Sequence, residues 1–467
     1  MLTKSDFLFY LDAPMHLWAK AHDALKDAAP TLLDQHVREQ GQQVEALAAE
    51  YLKEHIRTNY DQAELLWQFA YNDGRYEIRA DGIVHDRAAN AYDLYEIKSS
   101  TRVKTEHEID LTFQALLLEA IFEIRSVFVL HVNKEYIFGG DLDHSQYFII
   151  EDVTDKVSEH RENVLLLREA AWQVTQKADP LPEYACHNPK TCPCPALCHP
   201  NLPVHPIYDL PRIGNKAVDL RNRGFLDIRD IPADFPLNAK QTQHVQAVRS
   251  GQPQVERSAI HQWLSGLRFP LYFLDYETFG PAIPLFPGYH PYEQVIFQYS
   301  LYTVASPEAE PQHHACLVTS REDPEPRVAA DLVDHLGPKG SVMVWYQSFE
   351  KGRNASLADH CPDLAADLLG INERIQDLMQ PFSSGWYIHP DFHGSASLKA
   401  VLPVLCPELD YANLTITDGQ QAMLTWYRLQ QGKISPENEA EIREAMLAYC
   451  QRDTFGMVAI WNHLRKI

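Results

Sequence analysis

At 467 residues the chain exceeds one ordinary hydrophobic core, and 45% hydrophobic with 22% charged residues is a globular composition, so two or three folded domains are expected. No apolar run approaches the roughly 20 residues that span a bilayer, and the opening Met1-Leu2-Thr3-Lys4-Ser5-Asp6 lacks a basic and then apolar leader; a cytoplasmic protein with no membrane partner is expected. The net charge of −23 lowers the expectation of a nucleic-acid partner without removing it, because a global sum hides local basic patches and includes any metal-binding carboxylates.

In chain order, an amphipathic helix runs through Gln43-Val44-Glu45-Ala46-Leu47-Ala48. Strands follow near Tyr76–Val84 and Tyr92–Lys98, then a helix over Leu111–Phe122 and an apolar strand over Ser126–Val132. A long helix from about Asp155 to Gln176 leads to a cysteine-rich stretch, after which Pro200, Pro203, Pro206 and Pro211 mark an extended connection. Residues 201–267 are expected to be a linker and small helical connector, broken by Gly224, Pro232, Pro236 and Pro253. A second α/β pattern then begins, with strands near Leu271–Asp275, Gln294–Val304 and Val342–Tyr346 and helices to the end. The expected domains are therefore 1–200 and 268–467, both α/β, on either side of the connector.

The first chemical constellation is Arg79-Ala80-Asp81-Gly82 followed by Glu96-Ile97-Lys98. Alternation along a strand puts Glu96 and Lys98 on one face, where Asp81 from a neighbouring strand can join them. Asp81 and Glu96 would hold a divalent metal, Mg²⁺ or Mn²⁺, and Lys98 would orient the attacking water or stabilise charge on a phosphate. The alternative is a turn residue beside a surface ion pair. Together with Asp110-Leu111-Thr112-Phe113-Gln114 and the opening Leu2-Thr3-Lys4-Ser5…Tyr10-Leu11-Asp12-Ala13-Pro14, this region resembles the RecB-like group of PD-(D/E)XK nucleases. The resemblance implies a restriction-endonuclease-like fold and adds Gln114 to the site.

Cys186, Cys192, Cys194 and Cys198 crowd one short run, whereas Cys316, Cys361, Cys406 and Cys450 are scattered and are expected to be small buried hydrophobes. Four clustered thiolates can bind a [4Fe–4S] cluster or tetrahedral zinc, and spacing alone does not choose. Some RecB-like nucleases carry an iron–sulfur cluster held by one N-terminal cysteine and three after the nuclease core, so the resemblance implies iron–sulfur. The position of that first cysteine is Ala13 here.

In the second half, Phe273-Leu274-Asp275-Tyr276-Glu277 delivers two carboxylates onto one strand face, where they repel unless a hard cation sits between them. Glu350 in Trp345-Tyr346-Gln347-Ser348-Phe349-Glu350 is expected at a strand end, and Tyr449 and Asp453 share a helix face. Four acidic groups could hold two metal ions about 4 Å apart, with Tyr449 positioning the water. The order Asp-x-Glu, acidic residue after Phe, Tyr-x-x-x-Asp resembles the tyrosine subclass of DEDD exonucleases, which implies an RNase H-like fold; Glu350 replaces the usual aspartate. With His393-Gly394-Ser395-Ala396-Ser397-Leu398-Lys399 and Ile416-Thr417-Asp418-Gly419, the whole resembles a bacterial family that fuses the two domain types. It implies a metal-dependent nuclease, exonucleolytic, acting on DNA ahead of RNA in repair, processing or phage defence. The alternative is a nucleic-acid-binding scaffold or interaction module with one or both sites degenerate.

Overall fold

The computed structural model describes residues 1–25, 31–409, 411 and 413–467. The fold is mixed α/β with several sheets. The chain separates into two compact units, one of residues 1–201 with 281–293 and one of residues 202–280 with 294–467. The connector thus belongs with the second unit, and the stretch after the Asp275-x-Glu277 strand belongs with the first. Among the described residues no helix is long and apolar enough to cross a membrane.

The first unit contains β1 (Leu2–Thr3), α1 (Lys4–Asp12), α2 (Pro14–Ala21), α3 (Leu32–Asn59), β2 (Ala63–Asn72), β3 (Tyr76–Asp86), β4 (Ala91–Lys98), α4 (Thr105–Leu118), β5 (Ile124–Val132), α5 (His144–Tyr147), β6 (Phe148–Asp152), α6 (Thr154–Thr175) and α7 (Pro195–Cys198). Its sheet runs β1-β3-β4-β5-β6, with β2 also paired to β3 and only β1–β3 and β4–β5 parallel. α1 starts on a reciprocal cap between Thr3 and Asp6, which satisfies two end N–H groups. Phe7, Leu111 and Phe113 pack with Ile78, Ala80 and Leu94 over one face of the sheet. The stripe Val44, Ala48, Leu52 and Ile56 of α3, four residues apart, covers the other face against Val84, Tyr95 and Ile97.

The second unit contains α8 (Asn215–Asn222), α9 (Ala239–Ser250), β7 (Gln254–Val255), α10 (Arg257–Ser265), β8 (Leu271–Phe279), β9 (Val295–Val304), β10 (Gln312–Leu317), α11 (Glu325–His335), β11 (Ser341–Val344), α12 (Gln347–His360), α13 (Ala365–Asn372), β12 (Ile375–Asp377), α14 (Gln380–Ser383), β13 (Tyr387–Ile388), α15 (Leu398–Leu405), α16 (Gly419–Gln430) and α17 (Pro436–Leu464). Its main sheet runs β10-β9-β8-β11-β12, antiparallel across the first three strands and parallel across the last three. Tyr272, Leu274 and Tyr276 of β8 pack towards α11, α12 and α13, while Leu271 and Phe273 pack towards α10, α15 and α17. The second, odd-numbered face carries Asp275 and Glu277 onward beneath α17. The connector residues have a small core of their own around Ile207, Leu220, Ile228 and Val245, and β7 stitches them to β13.

Candidate active sites

In the first unit, β3 and β4 pair antiparallel with Gly82 opposite Tyr95, which brings Asp81 beside the end of β4. The Ile97 N–H donates to Asp81 Oδ2 at 2.9 Å. Glu96 is buried, and its Oε1 accepts from Lys98 Nζ and from Lys4 Nζ, each at 2.8 Å. Gln114 Nε2 donates to Glu96 Oε2 at 2.8 Å and to Asp110 Oδ1 at 3.0 Å, and Lys98 Nζ reaches Asp110 Oδ2 at 3.0 Å. The structure therefore brings Asp81, Glu96, Lys98 and Gln114 together and adds Asp110 and Lys4. Asp110 lies one helical turn before Gln114, so its face was legible; Lys4 enters through the fold of the chain start, which no local spacing announces.

Three carboxylates and two lysines share this site. Burial, then the Glu96 charge, pushes the Asp81 carboxyl up to about 7. Burial acts upward on Glu96 as well, but Lys98 and Lys4 overcome it and hold that carboxyl down to about 2. Burial followed by the Glu96 charge raises Asp110. Asp81 is thus the carboxylate short of positive charge, which is the condition a divalent cation relieves. Of the other basic residues near this part of the sequence, Arg75 pairs with Glu169 and Arg87 with Glu64.

In the second unit, Asp275 and Glu277 lie on one face of β8, and the register with β9 slips by one residue directly after Glu277. Tyr449 and Asp453 project from α17. Glu350 sits in the first turn of α12 and not at a strand end: β11 stops at Val344, and Tyr346 turns the chain into the helix at φ 80°. The Asp377 carboxylate holds that turn by accepting from the N–H groups of Tyr346 and Gln347, each at 3.1 Å. Tyr411 Oη donates to Asp453 Oδ1. Lys399 Nζ stands 5.8 Å and 5.6 Å from the ring centres of Tyr411 and Tyr449.

Burial is the first cause that raises all four carboxyls, and they raise one another: Asp453 acts on Asp275, Asp275 and Asp453 on Glu277, and Asp275 and Glu277 on Glu350. Lys399 and Arg353 oppose this only in part. Glu350 Oε2 is buried with no hydrogen-bond partner. Gly419, at the start of α16, borders the site: a Cβ there would lie in ordinary contact with Glu277 Oε2 at 3.6 Å and Tyr449 Oη at 3.7 Å. A buried, mutually repelling carboxylate set with an orphaned oxygen fits a hard divalent cation. One ligand atom each of Asp275, Glu277 and Cys450 lies within 4.8 Å of the others, so Cys450 borders the site as well as packing beneath it. Sequence reasoning missed Tyr411 and Cys450; the only signal for Cys450 was its place between Tyr449 and Asp453.

The Cys186–Cys198 loop closes on α2 of the first unit. Cys186, Cys192 and Cys198 with His16 form a group that could hold a metal ion, and none of the described cysteines is in a disulfide. His16 had no sequence signal beyond its nearness to Ala13.

Residues 272–397 match a family described as a domain of unknown function (DUF2779). The match spans Asp275, Glu277 and Glu350 but neither Tyr449 and Asp453 nor any part of the first-unit site. No curated protein and no solved structure matches the chain.

Proposed function

We propose that this protein is a metal-dependent nuclease that hydrolyses phosphodiester bonds, DNA ahead of RNA, with a PD-(D/E)XK-like site in the first unit and a DEDD-like exonuclease site in the second. The observation that carries the reading is the buried set Asp275, Glu277, Glu350 and Asp453, whose negative charge the nearby cations do not balance. A protein has little reason to keep four such groups together unless a cation joins them.

Asp275, Glu277, Glu350 and Asp453 would hold Mg²⁺ or Mn²⁺ in the second unit, and Asp81 and Glu96, with Asp110 beside them, in the first. When bound, the metal supplies a nucleophile at neutral pH and neutralises charge that builds on the phosphate. Tyr449, one helical turn from Asp453, would orient the attacking water by its hydroxyl, and Tyr411, which donates to Asp453, would fix that carboxylate. Lys399 offers a positive charge to a phosphate at the same mouth. In the first unit Lys98 is the group that would stabilise the developing phosphate charge, while Gln114 holds Glu96 and Asp110 in register.

The test is cleavage of end-labelled single- and double-stranded DNA and RNA with Mn²⁺ by the wild type, Glu96→Ala, Asp275→Ala and the double variant. Loss in one single variant assigns the chemistry to that unit, and product lengths separate exonuclease from endonuclease. Absence of cleavage by the wild type on every substrate would replace the nuclease reading with the scaffold one.

A further inference from the structure

The resemblance implies an iron–sulfur cluster at the cysteine loop, and the ligand spacing does not fit one. A [4Fe–4S] cluster presents its irons at the corners of a cube, so its thiolates stand roughly 6 Å apart. Here one ligand atom each of His16, Cys186, Cys192 and Cys198 lies within 4.8 Å of all the others. Around a single zinc ion, with Zn–S near 2.3 Å, a tetrahedron has edges of about 3.8 Å. His16 Nε2 is 3.6 Å from Cys192 Sγ, close to that edge. We infer that the loop and α2 form a mononuclear, tetrahedral zinc site in which Cys186, Cys192 and Cys198 are joined by His16 as the fourth ligand. It stands independently of the nuclease reading.

Three further observations support His16. It is 1% exposed, too buried for an ordinary surface histidine. Its Nδ1 is 2.6 Å from the Asp12 carboxylate, although not along a straight hydrogen bond, so Asp12 can fix the tautomer that leaves Nε2 to the metal. Ala13 is buried in the same apolar cluster as Cys186, Cys194 and Cys198, and His16 lies one helical turn further on, facing that loop.

The backbone N–H of Cys186 donates to Cys198 Sγ at 3.4 Å, and His199 Nε2 is 3.2 Å from Cys186 Sγ. Cys194 touches Cys198 but is outside the four-atom group, which leaves it supernumerary. The site would tie α2, near the start of the chain, to a loop 176 residues away in sequence.

The test is metal and acid-labile sulfide analysis of the full chain, purified anaerobically from medium replete in iron and zinc and dialysed against EDTA, followed by cobalt(II) substitution. About one zinc per chain without stoichiometric iron or sulfide is expected, as is a cobalt form with tetrahedral ligand-field bands and a thiolate charge-transfer band. His16→Ala should lose zinc to a chromophoric chelator at least tenfold more readily, His16→Cys should restore retention, and Cys194→Ser should leave it unchanged. Iron and sulfide near four per chain, protein free of any metal, an unaltered His16→Ala, or zinc lost from Cys194→Ser would each overturn the assignment.

Discussion

Asp275→Asn is expected to stabilise the metal-free protein while abolishing the response of the second unit to Mn²⁺. Asp275 and Glu277 place oxygens within 4.8 Å of each other in a buried site. Two unit charges at that separation repel by about 3.5 kcal/mol at an effective dielectric constant near 20. Proton uptake relieves part of this in the folded protein, and the asparagine amide can donate to a neighbouring carboxylate, so a net gain of about 1–3 kcal/mol is expected, or a few degrees in melting temperature. The assay is calorimetric melting at constant pH in EDTA and in Mn²⁺, in a Glu96→Gln background that silences the first-unit site. With Mn²⁺ at a hundred times its dissociation constant, the parent should gain about 2.7 kcal/mol and the Asp275→Asn form almost nothing. If Asp275→Asn melts below its parent in EDTA and keeps the Mn²⁺ shift, the carboxylates form a structural hydrogen-bond network and the metal-site reasoning is wrong.

Tyr411→Phe removes the hydroxyl that holds Asp453 and should lower Mn²⁺ affinity or cleavage by about 10–100-fold with little change in melting, measured by titration and by initial rates. Gln114→Leu strips Glu96 and Asp110 of a shared donor and should cost the first unit about 1–3 kcal/mol in urea unfolding; an unchanged midpoint would show that the amide is idle. Gly394→Ala should destabilise the second unit by about 3 kcal/mol or more, because φ is +72° and the new Cβ would fall 1.7 Å from the Asp209 carbonyl oxygen; a soluble variant with wild-type unfolding would contradict that close approach. Burial first, then the neighbouring His205, His393 and Lys240 against the opposing Asp209, holds His244 down to about 4. Its neutral form is retained in the fold, so its contribution is complete above pH 6.5 and is lost as pH falls from 6.5 towards 4, where the unfolded chain takes up the proton first. Wild type should lose about 3 kcal/mol more than His244→Gln across that interval, followed by urea unfolding at each pH.

What was legible in the sequence followed from periodicity. The alternation in Leu271–Glu277 put two carboxylates on one face, and the structure shows that face continuing from Leu271 and Phe273. The spacing of four in Tyr449 and Asp453 placed both on α17. Glu350 was misplaced because Trp345 and Tyr346 favour an extended chain by type, whereas the Asp377 carboxylate, 31 residues beyond Tyr346, captures the Tyr346 N–H and starts the helix there. A hydrogen bond over that distance leaves no mark on local spacing. The strand Ala63–Asn72 was missed because it is only half-buried along its length, so its hydrophobic alternation is weak.

The residues that complete each site share one property, which is that they arrive from far along the chain. Lys4 reaches Glu96 across 92 residues, Tyr411 reaches Asp453 across 42, and His16 reaches Cys192 across 176. Local motifs supply the ligands that must lie on one rigid element, because strand and helix periods fix their geometry without help. The groups that tune charge and close the coordination shell need only a position in space, and any element may provide it. His16 is such a case: one of its ring nitrogens lies within 4.8 Å of the sulfurs of Cys186, Cys192 and Cys198, although α2 and the cysteine loop are far apart in sequence.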